Sequence, residues 1–216
     1  MSGFVIAIDG PAASGKGAIA HALADAYRLP VLDTGLLYRA VGLAVTRAGG
    51  NPDDGALAAR HALGLNLSRL DDPALRSLEA GAAASRVAVH PAVREVLRAA
   101  QRAFAAQPGG AIIDGRDIGT VIAPDAPAKL YVTASPAARA ERRWLQLKTV
   151  DPAIGREAVI ADIGRRDAVD SGRADSPMRP AADAVLLDTT EMTIEAAADA
   201  ARRIVEAARA RWAKVP

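Results

Sequence analysis

The chain of 216 residues contains no cysteine. That absence excludes a disulfide framework, thiolate catalysis and cysteine-ligated zinc, and three scattered histidines offer no imidazole metal cluster. Aromatic residues make up 3% of the chain, too few for the stacking platforms on which proteins hold single-stranded RNA. Charge of one sign is not in excess, because 27 Lys and Arg face 25 Asp and Glu. A net charge of +2, dispersed along the chain, gives no reason to expect a nucleic-acid partner. No run approaches the roughly 18 apolar residues of a membrane span. Met1-Ser2-Gly3 leads directly into an apolar run, without the basic segment of an export signal. A cytoplasmic protein with no membrane or nucleic-acid partner is expected. The composition is 50% apolar and 24% charged, enough for one cored domain carrying small inserted lobes.

Strand and helix signals alternate. Phe4 to Ile8 reads as a buried strand closed by Asp9-Gly10, and Ile19 to Tyr27 as a helix. Val31-Leu32 is a second short strand, followed by a helix from Leu36 to Ala48 with Leu37, Val41 and Val45 on one face. Between Gly49 and about His90, Gly-Gly-Asn-Pro, Asp-Asp-Gly and Asp-Asp-Pro punctuate short pieces such as the alternating Leu63, Leu65 and Leu67, which suggests an inserted lobe. Pro91 starts a helix to about Ala106, Ala111 to Ile113 and Lys129 to Val132 read as strands, and Pro136 starts an Arg-rich helix. A further helix begins near Arg156, and Ser171 to Pro177 reads as a loop. Ala184 to Leu187 supplies a fifth strand, and Ile194 to Trp212 a closing helix with Ile194, Ala198, Ala201 and Val205 on its inner face.

Gly10-Pro11-Ala12-Ala13-Ser14-Gly15-Lys16 has the glycine spacing of a P-loop with Lys directly after the second glycine, between a strand and a helix. In that setting backbone N–H groups and the positive helix end surround phosphate oxygens, while a lysine reaches the β and γ phosphates. Residue 17 is Gly rather than Ser or Thr, and Ala18 supplies no hydroxyl next door, so the usual side-chain ligand for magnesium is missing. Ser14 either orients phosphate or metal-bound water, or tightens the turn. Gly10 to Ala18 is the expected ATP-binding segment.

Asp33-Thr34-Gly35, with Tyr38-Arg39 one turn on, lies at the strand edge that Lys16 shares. Arg116 and Asp117 follow another strand at that edge, and Arg94 approaches from the preceding helix. Arg139, Arg142 and Arg143, then Arg166 through Arg173, add two Arg-rich segments suited to neutralising a phosphoryl group in flight. Any one of these arginines alone would equally suit a solvated helix face.

Taken together, Ile8-Asp9-Gly10-Pro11, Gly15-Lys16-Gly17, Leu32 to Gly35 with Tyr38-Arg39, Asp114 to Val121, Pro124-Asp125-Ala126, Arg166-Asp167, Asp170, Arg173 and Pro180 to Ala184 resemble the bacterial cytidylate kinases, a branch of the P-loop nucleoside-monophosphate kinases. The resemblance spans nearly the whole chain. It implies an α/β P-loop NTPase fold with a five-stranded parallel sheet flanked by helices, an inserted NMP-binding lobe and a short lid. The expected division is a core of residues 1–48, 91–135 and 174–216, an inserted lobe of 49–90, and a lid with its flanking helices at 136–173.

The resemblance also assigns residues. It implies that Arg39, Arg116 and Arg166 hold the acceptor phosphate, Thr34 lies near it, and Arg166 and Asp170 lie near the ribose. Ser85, Arg94, Asp117 and Arg173 are implied to read cytosine, and Arg142 and Arg143 to be lid arginines approaching ATP. The catalytic set is then Lys16, Arg116, Arg142, Arg143 and Arg166, with ATP and Mg2+ required and no metal ligand assigned to the protein. Cytosine offers an amino donor and an unprotonated ring nitrogen, which a carboxylate and a donor such as Arg complement. Ser85 in a run of alanines would also suit a helix-backbone role, and Asp117 would also suit bracing Arg116. The family carries Thr where this chain has Ala18, and the inserted lobe is shorter than in longer members.

The expected reaction is ATP plus CMP or dCMP giving ADP plus CDP or dCDP, by a protein expected to be monomeric. A kinase for UMP or AMP and a nucleotide-dependent P-loop regulatory module are the alternatives, and no Asn-Lys-x-Asp guanine-reading motif supports the latter.

Overall fold

Every residue of Val5–Asp9 and of Ala111–Gly115 is buried, as apolar runs covered on both faces require. In a computed structural model, which describes residues 3–66 and 70–214, these two strands lie at the centre of one sheet. Leu67, the last of the three alternating leucines, and Met1-Ser2 lie outside the described residues.

The strands are β1 (Val5–Asp9), β2 (Val31–Asp33), β3 (Ala111–Gly115), β4 (Ala128–Thr133) and β5 (Val185–Asp188). All pairings are parallel, in the order β2-β3-β1-β4-β5. The chain leaves β1 for β2 on one side and later places β4 on the other. The strand order therefore reverses at β1, where ligands of such sheets bind beyond the carboxyl ends.

The helices are α1 (Lys16–Tyr27), α2 (Thr34–Arg47), α3 (Gly55–Leu63), α4 (Leu78–Val87), α5 (Pro91–Ala105), α6 (Pro136–Lys148), α7 (Arg156–Gly172) and α8 (Ile194–Trp212). Side chains cap the starts of α2, α3, α4, α6 and α8, through Asp33, Asp54, Ser77, Ser135 and Thr193. Pro91 and Pro136 occupy the first turns of α5 and α6, as expected. Two expectations are corrected. Ser171 and Gly172 belong to the last turn of α7 rather than to a loop, and Ile194, at the first position of α8, is 66% exposed.

Strand alternation divides the core. Ile6 and Ile8 of β1 face α1 and α8, packing with Ile19, Leu23, Ala201 and Val205, while Val5 and Ala7 face Ile113, Ile118 and Ile122. Leu37, Val41 and Val45 share a third cluster with Ala58, Val87, Val93 and Leu97, so α3 and α4 pack on α2 and α5. A Cβ on Gly42 would sit 2.8 Å from Ala83, so α2 and α4 approach backbone to backbone. Residues of α6 and α7, with Ala13 and Leu78, form a smaller cluster at the sheet's carboxyl edge.

Candidate active site

The phosphate loop joins β1 to α1. Gly10 has φ 142° and a Cβ there would lie 1.9 Å from the Val132 carbonyl, so only glycine fits against β4. Gly15, at φ 93°, begins α1 without a side-chain cap, leaving that helix end to a ligand. The loop's carbonyls are held from elsewhere. Lys16 Nζ donates to Pro11 (2.9 Å), Arg139 Nη1 to Ala12 (3.3 Å), and the Thr189 hydroxyl to Ser14 (2.9 Å). Tying up the carbonyls leaves the amide N–H groups to face an anion. Ser14 Oγ is fully buried and has no partner among the described residues, as expected of a hydroxyl waiting for a phosphate oxygen.

Lys16 is buried, 3.7 Å from the carboxylate of Asp114 at the end of β3. Burial pulls the Lys16 ammonium down and pushes the Asp114 carboxyl up, and their mutual attraction opposes both shifts. A Cβ on Gly17 would lie 3.9 Å from Asp114 Oδ2. The carboxylate thus reaches the space that a residue-17 hydroxyl would enter, and a hard oxygen donor there fits Mg2+. The described residues contain no group of three or more His, Cys, Asp or Glu side chains able to hold a metal. Phosphate oxygens and water would supply most of the ion's ligands.

Across the crevice stand the arginines. Arg39 on α2 donates to the Leu75 and Ser77 carbonyls (2.7 and 3.1 Å), and burial, then Arg166 and Arg143, pull its guanidinium down to about 9. Burial and Arg116 likewise pull Arg166 down, and burial and Arg166 pull Arg143 down. The Nε atoms of Arg143 and Arg166 are buried without partners among the described residues. These are mutually repelling, under-partnered cations, a site prepared for a multiply charged anion.

Arg116 Nε donates to Asp170 (2.8 Å), and Arg173 Nη1 is 3.5 Å from the same carboxylate. Burial would raise the Asp170 carboxyl, but Arg116 and Arg173 outweigh it and hold it below its usual range. Beside this chain, Arg94 Nη2 donates to Asp117 (2.6 Å), and the Arg94 side chain is only 2% exposed. Tyr38 lies beneath the Arg94 guanidinium, 5.9 Å from ring centre to charge. The turn carrying Arg116 and Asp117 is fixed by Asp9, whose carboxylate accepts from the N–H groups of Ile118 and Gly119 (both 2.7 Å). Burial raises the Asp9 carboxyl to about 6.

Four further expected residues are engaged by the protein itself. The Thr34 hydroxyl donates to the Asp114 carbonyl (2.8 Å), leaving only its lone pairs free. Ser85 donates to Gly81, one turn earlier in α4 (3.3 Å). Arg142 donates to the Thr189 hydroxyl and carbonyl (2.9 and 2.6 Å), beside the phosphate loop, whereas Arg143 donates to the Arg76 carbonyl of the inserted segment (3.0 Å). The two neighbouring arginines therefore point to opposite sides of the crevice. Asp9, Asp114 and Thr189 had no expected role, and Arg139, expected only as part of an Arg-rich segment suited to a phosphoryl group, holds the phosphate loop instead. Asp9 and Asp114 had a signal, since each ends a strand at the edge that bears Lys16. Thr189 had none.

A shallow hollow of about 390 Å³ lined by Val185, Arg203 and Ile204 opens at the start of β5, away from these strand ends. The chemistry is concentrated at the opposite end of the sheet.

Residues 6–208 match the family described as cytidylate kinase. The chain is 61% identical over 209 residues to a protein named cytidylate kinase from Caulobacter sp. (strain K31), covering 97% of each. It is 53% identical over 203 residues to one from Mesorhizobium japonicum, covering 94% of each. A crystal structure of an uncharacterized protein from Eubacterium ventriosum shares the fold at 13% identity and a TM-score of 0.52, over 95% of this chain and 98% of that one. A phosphate loop facing a cluster of arginines, in a chain that aligns over nearly its full length, leads to one conclusion: the chain belongs to the cytidylate kinase family.

Proposed function

We infer that this chain transfers the γ-phosphoryl group of ATP to CMP or dCMP, releasing ADP and CDP or dCDP. The observation that carries the choice of base is the buried Arg94–Asp117 pair at the carboxyl end of β3. A carboxylate accepts from the cytosine amino group and a guanidinium donates to the ring nitrogen, whereas uracil reverses both demands.

The acceptor phosphate already presents a nucleophilic oxygen, so no general base is needed and catalysis consists of positioning and charge neutralisation. The loop amides, Ser14 and Lys16 hold the donor phosphates. Arg39, Arg116 and Arg166 hold the acceptor phosphate, while Asp170, between Arg116 and Arg173, sits toward the ribose. Arg142 and Arg143 approach the transferred group from the two sides that their contacts define. Mg2+, when bound, neutralises charge on the donor phosphate oxygens, and Asp114 is the residue that would hold it. Residues 49–90 act as the inserted acceptor lobe and residues 136–173 as the lid, whose closure excludes water and suppresses ATP hydrolysis.

The test is ADP release with ATP and matched concentrations of CMP, dCMP, UMP and AMP. The reading predicts that CMP and dCMP are turned over far faster than the other two. Equal turnover of UMP or AMP would overturn it.

A further inference from the structure

Arg94 is not held by Asp117 alone. Arg94 and Arg98 stand one turn apart on the same face of α5, and Asp175, from the turn that follows α7, lies between them. Its carboxylate accepts from Arg98 Nη2 through both oxygens and is 3.5 Å from Arg94 Nε. Ser176 accepts from the same Arg98 nitrogen (2.9 Å) and donates to Asp175 (3.0 Å).

The turn is built for this contact. Ser176 adopts φ 54°, a left-handed conformation that is strained for a residue other than glycine. The Met178 N–H closes the turn on the Asp170 carbonyl (2.8 Å). Burial would raise the Asp175 carboxyl, but Arg98, Ser176 and Arg94 hold it below its usual range. A cavity of about 350 Å³ between the start of α5 and the end of α7 is lined by Arg94, Val169, Arg173 and Asp175 among others.

We propose that Asp175, anchored by Arg98, is a positioning residue for base selection: it shares the charge of Arg94, so that Asp117 is left to accept from the cytosine amino group. Without a second carboxylate, Arg94 has Asp117 as its only anionic partner within 4 Å among the described residues. The ion pair then competes with the base for the Asp117 lone pairs. The turn after α7, which follows Asp170 and Arg173, keeps its tie to α5 through Ser176 and Arg98 alone. The inference rests on the assignment of Arg94 and Asp117 to the base.

Asp175→Asn keeps the shape and removes the charge. Residues joined in one polar network are coupled, so KM for CMP is expected to rise roughly threefold to tenfold, with kcat within about twofold of the parent. The CMP over UMP ratio of kcat/KM should narrow by a similar factor, and Asp175→Glu should recover part of it. A purely structural role would instead lower the melting temperature and the kcat for both nucleotides, leaving KM and the ratio in place, and that result would overturn the proposal. Asp117→Asn is measured alongside and is expected to narrow the ratio about tenfold or more. If Asp117→Asn leaves the ratio unchanged, the base assignment falls and the Asp175 proposal with it. If Asp117→Asn narrows the ratio while Asp175→Asn moves neither KM nor the ratio, the Asp175 proposal alone is wrong.

Discussion

The two sides of the crevice are made of different material. On the side of the phosphate loop the groups proposed to meet ATP are backbone amides, and three carbonyls of that loop are held by Lys16, Arg139 and Thr189. On the side proposed for the acceptor the groups are guanidinium ions from α2, α6, α7 and the turn after β3, and the Nε atoms of Arg143 and Arg166 are buried without partners among the described residues. Amide dipoles cost little to assemble and hold an anion by geometry. Clustered cations cost stability until an anion joins them, and hold it by charge.

Breaking the donor side should have the largest effect. Lys16→Ala removes both the ammonium proposed to hold the donor phosphates and the tie on Pro11, and losing one preorganised charge costs roughly 3 kcal/mol of transition-state stabilisation. Turnover of CMP should fall about a hundredfold or more in a protein that still folds. Near-parental turnover in folded Lys16→Ala would remove the loop from the mechanism.

A smaller effect on the acceptor side concerns pH. Asp170 is held below its usual carboxyl value of 3.8 by Arg116 and Arg173, against burial. A depressed carboxyl contributes stability that is fully present above 3.8 and is lost as pH falls through its folded value. Asp170→Asn should therefore melt below the parent at neutral pH, and the gap should shrink as the pH is lowered below about 4. A gap that is constant with pH would mean that the carboxylate charge does not brace the arginines.

The same contrast explains what could be read in advance. The donor loop is contiguous: two glycines and a lysine lie within residues 10–16, directly between a strand and a helix, and their spacing is the structure. Strands β1 and β3 were visible because burial on both faces demands unbroken apolar runs. The acceptor side is assembled from distant segments, and its arginines took meaning from a family resemblance rather than from any local pattern. The Arg98–Asp175 pair spans 77 positions, and neither residue differs locally from an ordinary surface charge. Residues 49–90 were hard to divide because alanine-rich helices such as α4 offer few large apolar side chains to mark a buried face, although Gly42 of α2 and Ala83 of α4 approach closely. The end of α7 was misread because Ser171-Gly172 looks like a turn, while the helix runs on to set Asp170 and Arg173 against Arg116 and Asp117.

If the acceptor phosphate completes the buried arginines of α2, α6 and α7, those cations repel one another in the free protein until it binds. Thermal unfolding of Arg166→Gln, with and without CMP, tests this most directly, because burial and Arg116 together disfavour the Arg166 charge. Without ligand, Arg166→Gln should melt above the parent, at about 2 to 4 °C per kcal/mol of relieved repulsion for a chain of this size. Saturating CMP should raise its melting temperature less than it raises the parent's. A variant that melts below the parent without ligand, or that gains as much from CMP, would contradict the account.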